Sequence, residues 1–207
     1  MLITFEGIDG GGKSTHLAAV AAALRGRGLD VLTSREPGGT TIGEQVRTVL
    51  LDNKNTDLVP QAELLLFSAS RAQLVQEQLV PHLQAGGVVL LDRFYDSTFA
   101  YQGYGHGLDL AMLRQITHFA TGGLTPDLTL YLDLSAEVAL DRRYRASLFG
   151  DAFDRLDGAA MAFRERVIAG YEALIAAEPE RFVRIDAEQP IEAVRADVLA
   201  TVRERLP

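Results

Sequence analysis

The eight residues Gly7-Ile8-Asp9-Gly10-Gly11-Gly12-Lys13-Ser14 constrain this chain more than any other stretch of it. They fit the pattern G-x-x-x-x-G-K-[ST], and their surroundings fit as well. The apolar run Leu2–Phe5 comes before them. After them, Leu17, Val20, Ala21 and Leu24 recur at helical spacing. Glycines allow positive φ, so backbone N–H groups can wrap around phosphate oxygens. The first turn of the following helix adds partial positive charge at the same place. A triphosphate bound by Gly7, Ile8, Asp9, Gly10, Gly11, Gly12, Lys13, Ser14 and Thr15 would meet Lys13 at its β and γ phosphates. Ser14 would supply a hydroxyl to Mg²⁺. A glycine-rich turn that merely contains Lys-Ser is the alternative, and the strand–loop–helix order weighs against it.

Apolar runs alternate with helical patterns along the rest of the chain. Strands are expected at Leu2–Phe5, Asp30–Thr33, Val88–Leu91, Leu128–Leu134 and Phe182–Ile185. Val88–Leu91 is continuously apolar, as in a strand buried on both faces. Helices are expected over 41–51, Pro60–Leu83, Asp109–Ala120, Ala136–Arg145, Ala152–Ala177 and Ile191–Arg205. The alternation predicts an α/β fold: a five-stranded parallel sheet with helices on both faces, in one domain spanning 1–207. The irregular charged stretch Arg142–Asp157 reads as a short flap, or lid.

The net charge of −8 disfavours a nucleic-acid polymer as partner, although a small phosphate ligand needs only a local cluster of arginines. The chain has no cysteine, which excludes disulfides and thiolate metal sites. Its four histidines, His16, His82, His106 and His118, lack metal-ligand spacing. The N-terminus lacks the pattern of a signal peptide, and no window has the run of about 18 apolar residues that a membrane helix needs. The expectation is a soluble, cytoplasmic protein with no membrane partner.

A second phosphorylated ligand is implied by arginines placed after strands. Arg35 follows the second strand and Arg93 the third. Asp92, at the end of that third strand, is placed to hold Mg²⁺ through water, and Arg93 points into the cleft at the carboxyl ends of the strands. Phe67 and Arg71, four apart, share a helix face. They could stack on a base and bond its edge; composition alone favours a core Phe67 and a solvated Arg71. No guanine-reading Asn-Lys-x-Asp is present: Asn53-Lys54-Asn55-Thr56 ends in Thr56 and follows no strand.

Four segments together resemble the bacterial thymidylate kinase family. They are Gly7–Thr15, Arg35-Glu36-Pro37-Gly38-Gly39-Thr40, Arg71-Ala72-Gln73 and Asp92-Arg93-Phe94-Tyr95-Asp96-Ser97-Thr98-Phe99-Ala100-Tyr101-Gln102-Gly103. The resemblance covers essentially the whole chain. It implies the P-loop NTPase fold of nucleoside monophosphate kinases, Mg²⁺-dependent transfer of the γ-phosphoryl of ATP to dTMP, and a homodimer with contacts in Pro60–Leu83 and Asp109–Ala120.

The resemblance also implies roles. Phe67 stacks on thymine and Arg71 bonds its edge. Arg93 and Arg35 hold the acceptor phosphate, with Glu36 beside them. Ser97, Thr98 and Gln102 lie near the base, and Tyr101 packs under the sugar against a 2′-hydroxyl. Asp9 lies near the acceptor nucleotide and the metal. Lys13, Arg93 and Asp9 are thus catalytic candidates. Ala187-Glu188-Gln189-Pro190 falls near adenine. Some members carry an arginine inside the phosphate loop where this chain has Gly10, and such glycine-bearing loops go with an arginine in the lid. Arg142, Arg143, Arg145 and Arg155 are the candidates, and Arg142 is also placed to stack on adenine. A solvated cationic helix end is the alternative for two of these four. The acceptor phosphate has a second pKa of about 6, so no dedicated base is required.

Two departures from the family pattern stand out. Leu74 follows Arg71-Ala72-Gln73 where the family often has histidine, and Asp157 closes Asp154-Arg155-Leu156-Asp157 where glutamate is usual. Two rival readings remain open: a small P-loop kinase for a different monophosphate or a small metabolite, and a nucleotide-dependent switch. The switch leaves Arg35, Arg71 and Arg93 without a second phosphate to bind.

Overall fold

The computed structural model describes residues 1–148, 155 and 161–206. Its strands are β1 (Leu2–Glu6), β2 (Val31–Arg35), β3 (Val88–Asp92), β4 (Leu128–Asp133) and β5 (Phe182–Asp186). All are parallel, in the order β2-β3-β1-β4-β5. The helices are α1 (Lys13–Gly26), α2 (Thr41–Leu51), α3 (Pro60–Leu74), α4 (Val80–Gln84), α5 (Tyr95–Thr98), α6 (Leu110–Thr121), α7 (Ala136–Leu148), α8 (Met161–Ala177) and α9 (Ile191–Arg205).

Alternate residues of the central strands point to opposite faces, as strand geometry requires. Ile3 and Phe5 of β1 pack with Val88 and Leu90 of β3, and their core includes Leu17 and Val20 of α1 and Val194 and Val198 of α9. Leu2, Val89 and Leu91 point the other way, into a core with Leu64 and Leu74 of α3 and Leu113 of α6. Both faces are therefore covered, which is why Val88–Leu91 of β3 reads as an unbroken apolar run, while the one polar residue inside β1, Thr4, pairs its hydroxyl with Thr129 at 2.9 Å. The chain leaves β1 toward β2 on one side and later crosses to β4 on the other. That reversal opens a crevice at the carboxyl end of β1, where sheets of this kind bind ligands.

The expected α/β fold with five parallel strands is the fold observed, and most element ends fall within one or two residues of expectation. Three differences have physical reasons. The helix expected over Pro60–Leu83 runs to Gln84 but widens into a π turn at Val75–Leu79. Pro81 lacks the N–H that would bond the Glu77 carbonyl, and the wider turn accommodates it. Tyr95–Gly105 is helical, ending in a second π turn, Phe99–Gly105, although apolar spacing announces no helix there. Third, α7 keeps Arg142, Arg143 and Arg145 in the helix expected over Ala136–Arg145 and continues to Leu148, into the stretch read as the flap. Of the expected helix Ala152–Ala177, Met161–Ala177 is observed. Its start, and Asp154, Leu156 and Asp157 of the lid, lie outside the described residues.

Candidate active site

The phosphate loop leaves β1 and enters α1 through Gly12, whose φ of +81° is left-handed. At Gly7 only hydrogen fits: a Cβ there would stand 2.5 Å from the Leu132 carbonyl oxygen of β4. Lys13 Nζ arches back to donate to the carbonyls of Gly7 (3.1 Å) and Ile8 (3.0 Å). Burial, then the Arg93 charge, lowers the Lys13 pKa. The Ile8 side chain belongs to the core, so Ile8 can meet a phosphate only through its backbone. Ser14 Oγ donates to Asp92 Oδ2 at 2.5 Å, bringing the two residues expected at the metal together. A hydroxyl and a carboxylate are hard oxygen donors, and Mg²⁺ takes one or two such protein ligands with water and substrate phosphates completing its shell. The donor set fits Mg²⁺.

The loop forms one wall of a cavity of about 320 Å³. Asp9, Gly10, Gly12, Lys13, Ser14 and Thr15 line it from the loop side. Arg35, Glu36, Phe67 and Arg71 line it from the β2 and α3 side, and Asp92, Arg93, Ser97, Thr98, Tyr101 and Gln102 from β3 and the helix after it. Thus every residue expected at the acceptor side meets one cavity.

Arg71 corrects the composition-based alternative. It is 1% exposed, not solvated, and Phe67 is half-buried on the cavity wall. Arg71 Nε donates to Glu36 Oε2 at 2.8 Å and Nη2 donates to Thr98 Oγ1 at 3.0 Å. Its Nη1 is buried without a hydrogen-bond partner, as is Glu36 Oε1. Buried polar atoms are normally paired, and these two unpartnered atoms belong to residues that line the cavity.

Arg93 is the other fixed cation. Its φ of +66° is left-handed, a conformation costing on the order of 1–2 kcal/mol outside glycine. Its Nη2 donates to Asp9 Oδ1 at 2.6 Å, and its guanidinium lies 5.1 Å from the Tyr101 ring centroid. Burial acts to raise the Asp9 carboxyl, but the Arg93 and Lys13 charges outweigh it and hold Asp9 well below the usual carboxylate range. Gln102 Nε2 is fixed from behind by Glu63 Oε1 at 2.7 Å. Arg35 is half-exposed and donates to both Glu44 oxygens at 3.0 Å, so it must exchange that partner to reach a phosphate.

The four lid candidates separate. Gly10 packs under α7: a Cβ there would meet the Ala139 carbonyl oxygen at 3.0 Å and Arg142 Cβ at 3.4 Å. Any side chain at position 10 would be strained by the φ of +90° and packed tightly against this helix. Arg142 occupies the space instead, with Nη1 donating to the Ala187 carbonyl at 2.8 Å and lying 3.4 Å from the Gly10 carbonyl. It therefore links the phosphate loop to the Ala187–Pro190 turn. Arg143 is half-buried on α7. Arg145 is solvated and paired with Asp141 on the same helix. Arg155 is bound outside the cavity lining, donating to Glu63 Oε2 at 2.5 Å and to the Leu50 carbonyl at 2.9 Å, on the carboxylate that holds Gln102.

Three residues escaped the sequence reading. Glu6 is fully buried at the end of β1, Glu63 is 1% exposed beneath Gln102, and Tyr171 of α8 is fully buried beside Arg93. A charge closing a continuous apolar strand was the available signal for Glu6. Glu63 and Tyr171 carry no such mark.

The comparisons with known proteins agree with this geometry. The thymidylate kinase family model matches residues 5–198. The chain is 49% identical to the thymidylate kinase of Roseiflexus sp. (strain RS-1), over 100% of this chain and 95% of that one. It is 50% identical to that of Chlorobium luteolum, over 99% and 98% of the two chains. A crystal structure of thymidylate kinase from Ehrlichia chaffeensis superposes with a TM-score of 0.80 at 31% identity, covering 98% of each chain. With a phosphate loop facing a built second-ligand wall, and relatives matching from end to end, the chain belongs to the thymidylate kinase family of phosphotransferases.

Proposed function

We propose that this protein transfers the γ-phosphoryl group of ATP to dTMP, giving dTDP for dTTP synthesis, as one kinase domain. The observation that carries this reading is the buried Arg71 Nη1 and Glu36 Oε1, both without hydrogen-bond partners, on a cavity whose opposite wall is the phosphate loop. Thymine offers carbonyl acceptors and an N–H donor along one edge, which answers that pair. Phe67 supplies a face for stacking, and Thr98 and Gln102 complete the base pocket. Arg93, with Arg35 after it leaves Glu44, takes the acceptor phosphate. Tyr101 packs beneath the sugar.

The acceptor oxygen is already ionised at neutral pH, so the residues' work is alignment and the offsetting of charge. Lys13 and the loop amides orient the donor phosphates. Ser14 and Asp92 would hold the Mg²⁺ ion that offsets their charge. Arg142 lies beside the adenine end of the donor, near Ala187. Arg155 approaches the transferring group only when its Glu63 contact opens. Incubation with ATP and dTMP, with nucleotides separated by chromatography, tests the reading: dTDP formation is expected, and ATP consumption without dTDP would refute it.

A homodimer is part of this proposal. Leu65 of α3 and Met112 and Phe119 of α6 are exposed apolar side chains on two helices that pack together, and Phe119 is 88% exposed. A second copy would cover them. Sedimentation at micromolar concentration checks it, and a monomer there would contradict it. Among the described residues no helix is long and apolar enough to cross a membrane, which is compatible with the cytoplasmic location we propose.

A further inference from the structure

We infer that Glu6 is a positioning residue for Arg93: it fixes both the backbone and the guanidinium of the cation that meets the acceptor phosphate. The inference rests on that reading of Arg93. Three donors from separate parts of the chain converge on the Glu6 carboxylate. The Phe94 backbone N–H donates to Oε1 at 2.7 Å. Ser97 Oγ and Tyr171 Oη donate to Oε2 at 2.6 and 2.9 Å. Two of these donors also touch Arg93, whose Nη1 lies 2.9 Å from Ser97 Oγ and 3.4 Å from Tyr171 Oη.

The direction of these bonds matters. A carboxylate only accepts, so the Ser97 and Tyr171 protons turn toward Glu6 and their oxygen lone pairs turn toward the Arg93 guanidinium. The two hydroxyls, 2.9 Å apart, thus relay negative potential from a fully buried carboxylate to a cation on the cavity wall. The backbone bond acts on the same residue. Arg93 holds a left-handed φ, and Glu6 takes the amide directly after it while the Phe5 carbonyl takes the Arg93 amide at 3.0 Å. The peptides on both sides of the strained residue are therefore pinned to the end of β1. Burial and then the Asp96 charge push the Glu6 carboxyl up, against the pull of Arg93. In its ionised form the carboxylate faces Arg93 through the Ser97 and Tyr171 hydroxyls.

Glu6→Gln keeps the shape and replaces one acceptor oxygen by a donor. Facing Ser97 and Tyr171, the amide reverses a hydroxyl and turns its proton on Arg93. Steady-state kinetics of wild type, Glu6→Gln and Tyr171→Phe, with dTMP and ATP varied separately, test the inference. For Glu6→Gln, kcat/KM for dTMP is expected to fall by at least roughly tenfold while the KM for ATP stays within about twofold. Tyr171→Phe, which removes one relay hydroxyl and leaves the carboxylate, is expected to give a smaller fall of the same kind, about threefold or more. The effects in the double variant should be less than multiplicative, since both act through one guanidinium. A KM for ATP that rises as much as the KM for dTMP, or an unchanged kcat/KM for dTMP in soluble Glu6→Gln, would overturn the inference. Should Glu6→Gln fail to fold, an unchanged Tyr171→Phe overturns it. A wild type without dTMP turnover removes the acceptor reading, and this inference with it; a wild type that turns over dTMP beside an unaffected Glu6→Gln removes this inference alone.

Discussion

Arg71 and Glu36, 35 residues apart in sequence, meet inside the protein at 2.7 Å, with side chains 1% and 3% exposed. The pair is only half satisfied from within, because Arg71 Nη1 and Glu36 Oε1 have no hydrogen-bond partner. Removing one member leaves the other as a buried charge. Glu36→Ala is therefore expected to destabilise the protein by about 3–5 kcal/mol, measured by urea unfolding. Arg71→Lys keeps the charge but loses the planar fork, so kcat/KM for dTMP should fall by roughly tenfold or more with the KM for ATP little changed.

Ser14 and Asp92 form the second diagnostic pair, hydroxyl on carboxylate. Asp92→Asn weakens the donor set for Mg²⁺. The Mg²⁺ concentration giving half-maximal rate should rise several-fold, and EDTA should abolish turnover in wild type. A Mg²⁺ titration of initial rates checks both.

Arg142, Arg145 and Arg155 should differ in kinetics as they do in place. Arg142→Ala loses the link from the loop to Ala187 and is expected to raise the KM for ATP. Arg145→Ala, on a solvated helix face, should change neither parameter by more than about twofold. Arg155→Ala should lower kcat by at least roughly tenfold if this arginine offsets charge on the transferring phosphoryl. Single-variant kinetics with each substrate varied separate the three.

Glu63 gives a pH prediction. Burial acts to raise its pKa, but His106, Arg155 and Gln102 outweigh it and bring the carboxyl down to about 2. The folded state therefore binds that proton less readily than the unfolded chain does. The stabilisation, up to about 3 kcal/mol, is complete above the ordinary glutamate range and is lost as pH falls toward 2. Glu63→Gln removes this component. Urea unfolding between pH 3 and 7 should show a shallower acid limb for the variant; parallel curves would contradict the assignment.

The phosphate loop and the sheet were legible because their signals are contiguous. Gly7–Ser14 is a run of adjacent residues, and the strands are short, mostly apolar runs, of which Val88–Leu91 is the unbroken one that burial on both faces demands. What stayed hidden depends on contacts distant in sequence. Nothing near Arg71 says that Glu36 will bury it, so composition pointed to solvent where the fold supplied a counter-charge. The Tyr95–Gly105 helix lacks apolar spacing because it serves two surroundings: Phe99 turns to the core and Tyr101 and Gln102 to the cavity. Glu6 and Glu63 lie outside the resembling segments apart from their neighbours, and their burial follows from partners on other elements. Gly10 needed the structure as well. There a Cβ would stand 3.0 Å from the Ala139 carbonyl oxygen of α7, and the Arg142 guanidinium lies 3.4 Å from the Gly10 carbonyl.

The most direct measurement is the steady-state kcat/KM of the wild-type protein for dTMP, dUMP, dCMP and dGMP with saturating Mg-ATP. The site described here gives dTMP the highest value. Its margin over dUMP should be roughly tenfold or more, since the two differ by one methyl group against a fitted pocket. A value for any of the other three equal to or above that for dTMP would contradict the account.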